Sequence, residues 1–182
     1  MQQQLIVTKA AIGMTVVLAG VAAWAEEPAR WQVLANNPSC QVWNEAPQPQ
    51  VTVTWTGRCV NGKAEGNGTL IWRYYLDGRW QEDRYVGDRL AGKAHGRGSY
   101  VSADGDRYEG DWRAGQPHGI GSYVGANGVR YEGEWAGNKP HGYGTFTATD
   151  GDVYAGNWTN GCFRQGSRWA SLAASAEDCG FQ

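Results

Sequence analysis

Three histidines stand at a fixed interval. His95, His118 and His141 are 23 residues apart, and each is followed directly by glycine. Imidazole can ligate a metal or move a proton near neutral pH. Two carboxylate pairs, Asp104/Asp106 and Asp150/Asp152, offer hard oxygens of the kind calcium takes. Spacing argues against both chemistries. Residues one repeat apart in a stacked hairpin array sit about 9.6 Å from one another, two strand spacings. Ligands so spread cannot close on one zinc ion with nitrogens at about 2.1 Å. The acidic pattern breaks at Asn127-Gly-Val129, and two carboxylates fall short of the roughly 6–8 oxygens calcium needs. The histidines are therefore expected to be structural turn residues, with no metal and no cofactor implied. Gly66-x-Gly68 and its copies lack the third glycine and the strand-then-helix setting of a dinucleotide loop. No nucleophile elbow, phosphate loop or His-Glu-x-x-His occurs, so no acid, base and nucleophile cluster as an active site requires. A non-enzymatic chain is expected.

Cysteine chemistry points elsewhere. Four cysteines occur, Cys40, Cys59, Cys162 and Cys179, with no Cys-x-x-Cys. An even count in an oxidising compartment implies two disulfides with three possible connectivities. Cys40–Cys59 and Cys162–Cys179 are favoured, because each pair is close in sequence and brackets one end of the periodic region. Residues 1–25 supply the compartment. Lys9 precedes an apolar run that ends in Ala23-Trp24-Ala25, a pattern expected of a cleaved signal peptide and hence of a periplasmic or secreted protein. The rival reading is an N-terminal membrane anchor, although the run is shorter than the roughly 20 residues a span needs. Without residues 1–25, 15 basic side chains face 18 acidic ones. That balance gives no reason to expect nucleic acid as a partner.

The elements that carry these side chains repeat. Tyr85-Val-Gly87 recurs as Tyr108-Glu-Gly110, Tyr131-Glu-Gly133 and Tyr154-Ala-Gly156. An earlier copy starts at Trp55, so units begin near 55, 85, 108, 131 and 154. In Tyr108-Glu-Gly-Asp-Trp112 the side chains alternate, placing Tyr108 and Trp112 on one face of a strand. Asp104-Gly105, Asn127-Gly128 and Asp150-Gly151 suit type I′ hairpin turns. The first interval is 30 residues, and the additional ones divide about Asp77-Gly78. A longer hairpin is expected there, projecting about 10 Å beyond its neighbours.

Tyr-x-Gly-x-Trp followed by Gly-x-x-His-Gly-x-Gly resembles the MORN repeat. The clearest copies run from Tyr108 to Gly121 and from Tyr131 to Gly144. Departures are Glu65 and Arg164 at the histidine position and Arg89 at the tryptophan position. The resemblance implies an all-β fold, an elongated antiparallel meander of stacked hairpins over residues 51–165. Residues 26–50 are expected to cap one end. Residues 166–182 are expected to hold a short helix over 168–178, with Trp169, Leu172, Ala173 and Ala176 on one stripe.

The resemblance implies scaffolding or partner binding, not chemistry. The candidate binding face is the aromatic ladder Tyr108/Trp112, Tyr131/Trp135 and Tyr154/Trp158, which a single-layer sheet could equally consume as core. The leading partner is an unidentified protein of the cell envelope, with self-association also open. The alternative is a carbohydrate or lipid headgroup bound through the same aromatic face.

Overall fold

The structure is a computed structural model and describes residues 6–7, 29–48 and 50–181. The leader expected over residues 1–25 lies outside the described residues, apart from a two-residue strand β1 (Ile6–Val7). Among the described residues every regular element is a strand, and they form a 15-stranded sheet.

The periodic region folds as the alternation requires. It comprises β4 (Thr52–Trp55), β5 (Arg58–Val60), β6 (Lys63–Leu76), β7 (Arg79–Leu90), β8 (Lys93–Val101), β9 (Arg107–Arg113), β10 (Gln116–Val124), β11 (Arg130–Ala136), β12 (Lys139–Thr147), β13 (Val153–Thr159) and β14 (Cys162–Gln165). From β6 to β14 each strand pairs antiparallel with the next. Equivalent residues meet across strands: Tyr100 opposite Tyr108, Gly98 opposite Gly110, Tyr123 opposite Tyr131, Gly121 opposite Gly133. The sheet is not flat. Registers shift between Gly87 and Arg89, Pro117 and Gly121, and Gly133 and Trp135. The glycine after each histidine is left-handed, at φ 63° for Gly96, 64° for Gly119 and 78° for Gly142. Irregularities of this kind bend a strand, so each hairpin folds over its own aromatic face.

The turns differ from expectation at one end of the hairpins. At Asp104-Gly105, Asn127-Gly128 and Asp150-Gly151 only the glycine has positive φ. The Gly105 N–H donates to the Ser102 carbonyl and the Ser102 N–H to the Asp106 carbonyl, each at 2.9 Å. That is a three-residue loop closed by a left-handed glycine, not the two-residue type I′ turn expected. Type I′ geometry, with both central residues at positive φ, occurs at the opposite end: Ala91-Gly92, Ala114-Gly115, Gly137-Asn138 and Asn160-Gly161. Asp77-Gly78 of the long hairpin has it too. These turns interlock along the array. The Gly115 N–H donates to the Ala94 carbonyl (2.9 Å), Asn138 to Pro117 (3.3 Å) and Gly161 to Pro140 (2.8 Å).

Both ends carry a cover. At the start, β2 (Arg30–Leu34) and β3 (Asn37–Asn44) form a hairpin laid across the first turns. The Gln41 N–H donates to the Gly62 carbonyl (2.9 Å) and the Trp43 N–H to the Gly92 carbonyl (3.0 Å). Lys63 Nζ sits 3.2 Å from the Trp31 ring centroid, and Cys40 is bonded to Cys59. At the far end the expected helix is absent. Residues 168–172 form β15 (Arg168–Leu172), antiparallel to β14, and turns follow to residue 180. Five residues, Arg168-Trp-Ala-Ser-Leu172, find their main-chain partners on β14 and on Gly161, whose carbonyl accepts the Leu172 N–H at 2.8 Å. A short segment satisfied by a neighbouring strand has no reason to pay helix nucleation. β1 pairs parallel with the outer side of β15 at Ser171 and Leu172. Cys162 is bonded to Cys179 and ties the final turns back to β14.

Each disulfide closes a short loop, with sequence separations of 19 and 17. Reduction should remove about 3 kcal/mol per bond in the chain-entropy account. Because repeat stability is carried by neighbour contacts, amide exchange should accelerate first in β2–β3 and β14–β15 while β9–β12 stay protected. A uniform acceleration along the array would contradict this.

Candidate binding surface

The aromatic ladder is a continuous column of rings. Tyr85 meets Trp112 at 5.3 Å, Trp112 meets Tyr108 at 5.1 Å, and Tyr108 meets Trp135 at 5.3 Å between centroids. The column continues through Tyr131 (5.1 Å) and Trp158 (5.4 Å) to Phe163 (5.4 Å). Tyr and Trp alternate with near-perpendicular planes as far as Trp158, the edge-to-face geometry that suits ring quadrupoles. Tyr108, Trp112, Tyr131, Trp135 and Trp158 are all buried, and Tyr154 is partly so. Their polar atoms are mostly occupied as well. The Tyr108 hydroxyl donates to the Asp111 carbonyl (2.9 Å) and the Tyr131 hydroxyl to the Glu134 carbonyl (3.0 Å). Trp112 and Trp135 donate their indole N–H groups to the Gly98 and Gly121 carbonyls at 3.0 and 3.1 Å. Trp158 Nε1 is buried without a partner among the described residues. Tyr108, Trp112, Tyr131, Trp135 and Trp158 thus lie inside the bent hairpins, while the Tyr154 ring keeps part of its surface in water.

Burial raises the hydroxyl pKa of Tyr85, Tyr108, Tyr123 and Tyr131 well above the ordinary phenol value. Nearby Asp111 reinforces the shift at Tyr108, Asp106 at Tyr123 and Glu134 at Tyr131. A folded-state pKa raised above the unfolded one gives stability that is complete below the unfolded pKa of about 10 and is lost as pH climbs past it. Tyrosinate absorbance of these residues should therefore appear late, in one step with loss of near-ultraviolet circular dichroism. Smooth titration of the whole tyrosine set under an intact fold would contradict the buried ladder.

The main-chain N–H of His118 meets the Tyr108 hydroxyl, as that of His95 meets Tyr85, which gives the ten-residue spacing a backbone reason. His141 Nδ1 accepts the Asn160 N–H of the next type I′ turn at 3.4 Å. Glu65, standing in the histidine position, does the same to the Ala91 N–H at 2.9 Å. Among the described residues no three metal-ligating side chains converge. Of the aspartates noted for calcium, Asp106 links repeats. Asp106 accepts the Ala126 N–H (2.8 Å), and one repeat earlier Asp83 accepts the Ala103 N–H (2.8 Å) and the Tyr100 hydroxyl (2.8 Å).

Arg89, in the tryptophan position, is buried among aromatics. It donates to the Gly92 carbonyl at 2.8 Å and stands 5.5 Å over Tyr85, but its Nε has no partner among the described residues. Burial pushes its pKa down to about 10.

Exposed aromatics lie elsewhere. The β6–β7 ribbon outruns the hairpins beside it: β7 has 12 residues and β9 has 7. Trp80 is 50% exposed and Tyr75 39%, with rings 5.5 Å apart. The Arg73 guanidinium lies 5.1 Å from the Trp80 ring, and Leu76 is exposed beside the turn. A smaller exposed pair, Ile120 and Tyr143, occupies equivalent positions on the outer strand face. Sequence reasoning located the long hairpin but assigned these rings no role. The available signal was their position: Tyr75 and Trp80 fall in the inserted residues, outside the 23-residue pattern that makes a ladder ring core.

The MORN repeat family description matches residues 57–73, 85–107, 108–130 and 131–153. No curated protein shows significant similarity to the chain. The matched segments coincide with the hairpins, the buried Tyr–Trp column and the interlocked turns, and the chain is a MORN repeat-containing protein.

Proposed function

We propose that this protein is a non-catalytic, exported interaction scaffold that engages an envelope protein through its long first hairpin. MORN repeats commonly serve binding roles, which supports the general reading. The observation that carries the specific one is the contrast between rings. The periodic aromatics are consumed as core, whereas Tyr75, Leu76 and Trp80 are left in water on a ribbon beyond the array. Trp and Tyr dominate interface hot spots because they bury much area with few rotatable bonds. Two disulfides are compatible with an oxidising compartment, and among the described residues no helix is long and apolar enough to cross a membrane. An exported product beginning at Glu26 by mass would agree with export; one retaining Met1 would not.

The test is capture from an envelope extract by the oxidised protein. A Tyr75→Ser/Trp80→Ser variant should fold normally and lose the captured protein. An Ile120→Ser/Tyr143→Ser variant should keep it. Equal capture by all three proteins would remove the hairpin from the account. The glycan or headgroup reading rested on ring faces of the ladder, and of these Tyr154 alone keeps part of its surface in water, which favours the hairpin over the ladder.

A further inference from the structure

Away from the long hairpin, the outer face of the repeats carries a regular row of charge. We infer that Arg84, Arg107 and Arg130 form a docking line for an acidic polyproline II segment of a partner protein. The row is separate from the hairpin, and neither reading needs the other.

The row follows from register. Tyr85, Tyr108 and Tyr131 are buried, so the residue before each points to the outer face. Those residues are Arg84, Arg107 and Arg130, all exposed. Val101 lies directly opposite both Arg84 and Arg107. Val124 lies directly opposite both Arg107 and Arg130. One lateral row thus crosses β7 to β11, with arginine on every second strand and a partly buried valine between. Two strand spacings put neighbouring arginines about 9.6 Å apart. None of the three makes an ion pair among the described residues.

Carboxylates bound the row. On the same face Glu109 and Glu132 stand two residues along the strand from Arg107 and Arg130, about 6.6 Å away. Glu82 stands two residues from Arg84 on the other side. Farther down the face Asp111 is paired with Arg97 at 3.6 Å, and Glu134 accepts the Tyr143 N–H. A flat anionic surface such as a lipid bilayer meets these acids together with the arginines and gains little. A thread one chain wide follows the arginines and misses the acids.

Spacing chooses the conformation of that thread. A polyproline II chain has three residues per turn and a rise of about 3.1 Å, so every third side chain returns to one side after about 9.3 Å. A β-strand returns after about 6.6 Å and falls out of step. An α-helix returns at the seventh residue after about 10.5 Å, but its width of about 10–12 Å lays it over Glu109 and Glu132. Glutamate at every third position of a polyproline II segment therefore meets Arg84, Arg107 and Arg130 in turn, and the residues between pass over Val101 and Val124. Proline at those positions holds the conformation before binding and keeps the ordering cost small.

The probe is the acetylated, amidated heptapeptide Glu-Pro-Pro-Glu-Pro-Pro-Glu, titrated into the oxidised full chain at low salt with main-chain amide shifts as the readout. Its control is Glu-Pro-Glu-Pro-Glu-Pro-Pro, of the same composition and charge but with glutamate at every second position. The first peptide should shift the Val101, Arg107 and Val124 amides together and bind about fivefold more tightly than the second, or better. Arg107→Gln should weaken it about threefold or more, the scale of one exposed ion pair. Arg113→Gln, an equal loss of charge at the far end of β9, should leave binding unchanged. Glu109→Gln/Glu132→Gln should tighten binding, a gain that a damaged fold could not give. Equal affinity for the two peptides, or equal weakening by Arg107→Gln and Arg113→Gln, would reduce the row to diffuse charge and overturn the inference. Absence of saturating shifts would overturn it too. Vesicles of phosphatidylglycerol that bind through these arginines while the heptapeptide does not would assign the row to a membrane instead. Capture that depends on Tyr75 and Trp80 is read separately and stands or falls without this row.

Discussion

Replacing Trp135 by alanine should lower the unfolding free energy by about 3–5 kcal/mol, the range for deleting a large buried aromatic. Trp135 stands between Tyr108 at 5.3 Å and Tyr131 at 5.1 Å, and Tyr123 also touches it at 6.4 Å. Removal cuts the column at its middle and leaves the buried Gly121 carbonyl without its indole donor. The effect should spread by neighbour coupling. Denaturant unfolding of the variant should show a lower midpoint, and the hairpins on both sides of β11 should lose amide protection. A Trp80→Ala variant should shift the midpoint little, since the removed ring is half in water. Equal losses for the two variants would mean that the ladder is not the core.

Gly121→Ala should be nearly as damaging although it adds a single methyl group. A Cβ at Gly121 would lie against the Tyr108 hydroxyl, 2.6 Å from its Cζ and 2.7 Å from its Cε2. The ring has nowhere to go, because Trp112 and Trp135 hold it on both sides. Gly110 lies opposite Gly121, and a Cβ on Gly110 would in turn come within 2.5 Å of the Gly121 Cα. Overpacking of this kind costs about 3 kcal/mol or more where neighbours cannot shift. A thermal melt of the variant measures the loss. The cause is separable: in a Tyr108→Ala background most of the added cost should vanish, a non-additivity that a double-mutant cycle reads directly. Strict additivity would mean that the glycine is required for some reason other than ring approach.

These two residues show how much was legible in the chain. Glycine at every Tyr-x-Gly and Gly-x-Gly position, with Trp two residues beyond the first, revealed the hairpins and their register. The reason came from the structure: only a glycine lets a tyrosine ring lie against the opposing strand. Cysteine spacing pointed to the two bonds found at the ends. Alternation placed Tyr108 and Trp112 on one face but said nothing of what covers that face. The cover is the bend at Gly96, Gly119 and Gly142, a non-local consequence of left-handed glycines. Asp-Gly and Asn-Gly occur in two loop families, and the choice depends on how many residues lie between the last bonded pairs. Residues 168–172 misled for a related reason. Trp169, Leu172 and Ala173 fit a helical stripe, yet β14 and the Gly161 carbonyl supply main-chain partners that the local pattern cannot reveal. Tyr75 and Trp80 were visible as aromatics in the inserted residues, but alternation alone did not say which face of the projecting ribbon would stay uncovered.

Hydroxyl-radical footprinting of the folded, oxidised protein, resolved by residue in a mass spectrometer, tests the central division between core rings and presented rings. The account predicts fast oxidation at Trp80, Tyr75 and Tyr143, with Trp112, Trp135 and Trp158 protected until the protein unfolds. Ladder tryptophans oxidised as fast as Trp80 in the native state would contradict it, and would return the binding face to the repeats themselves.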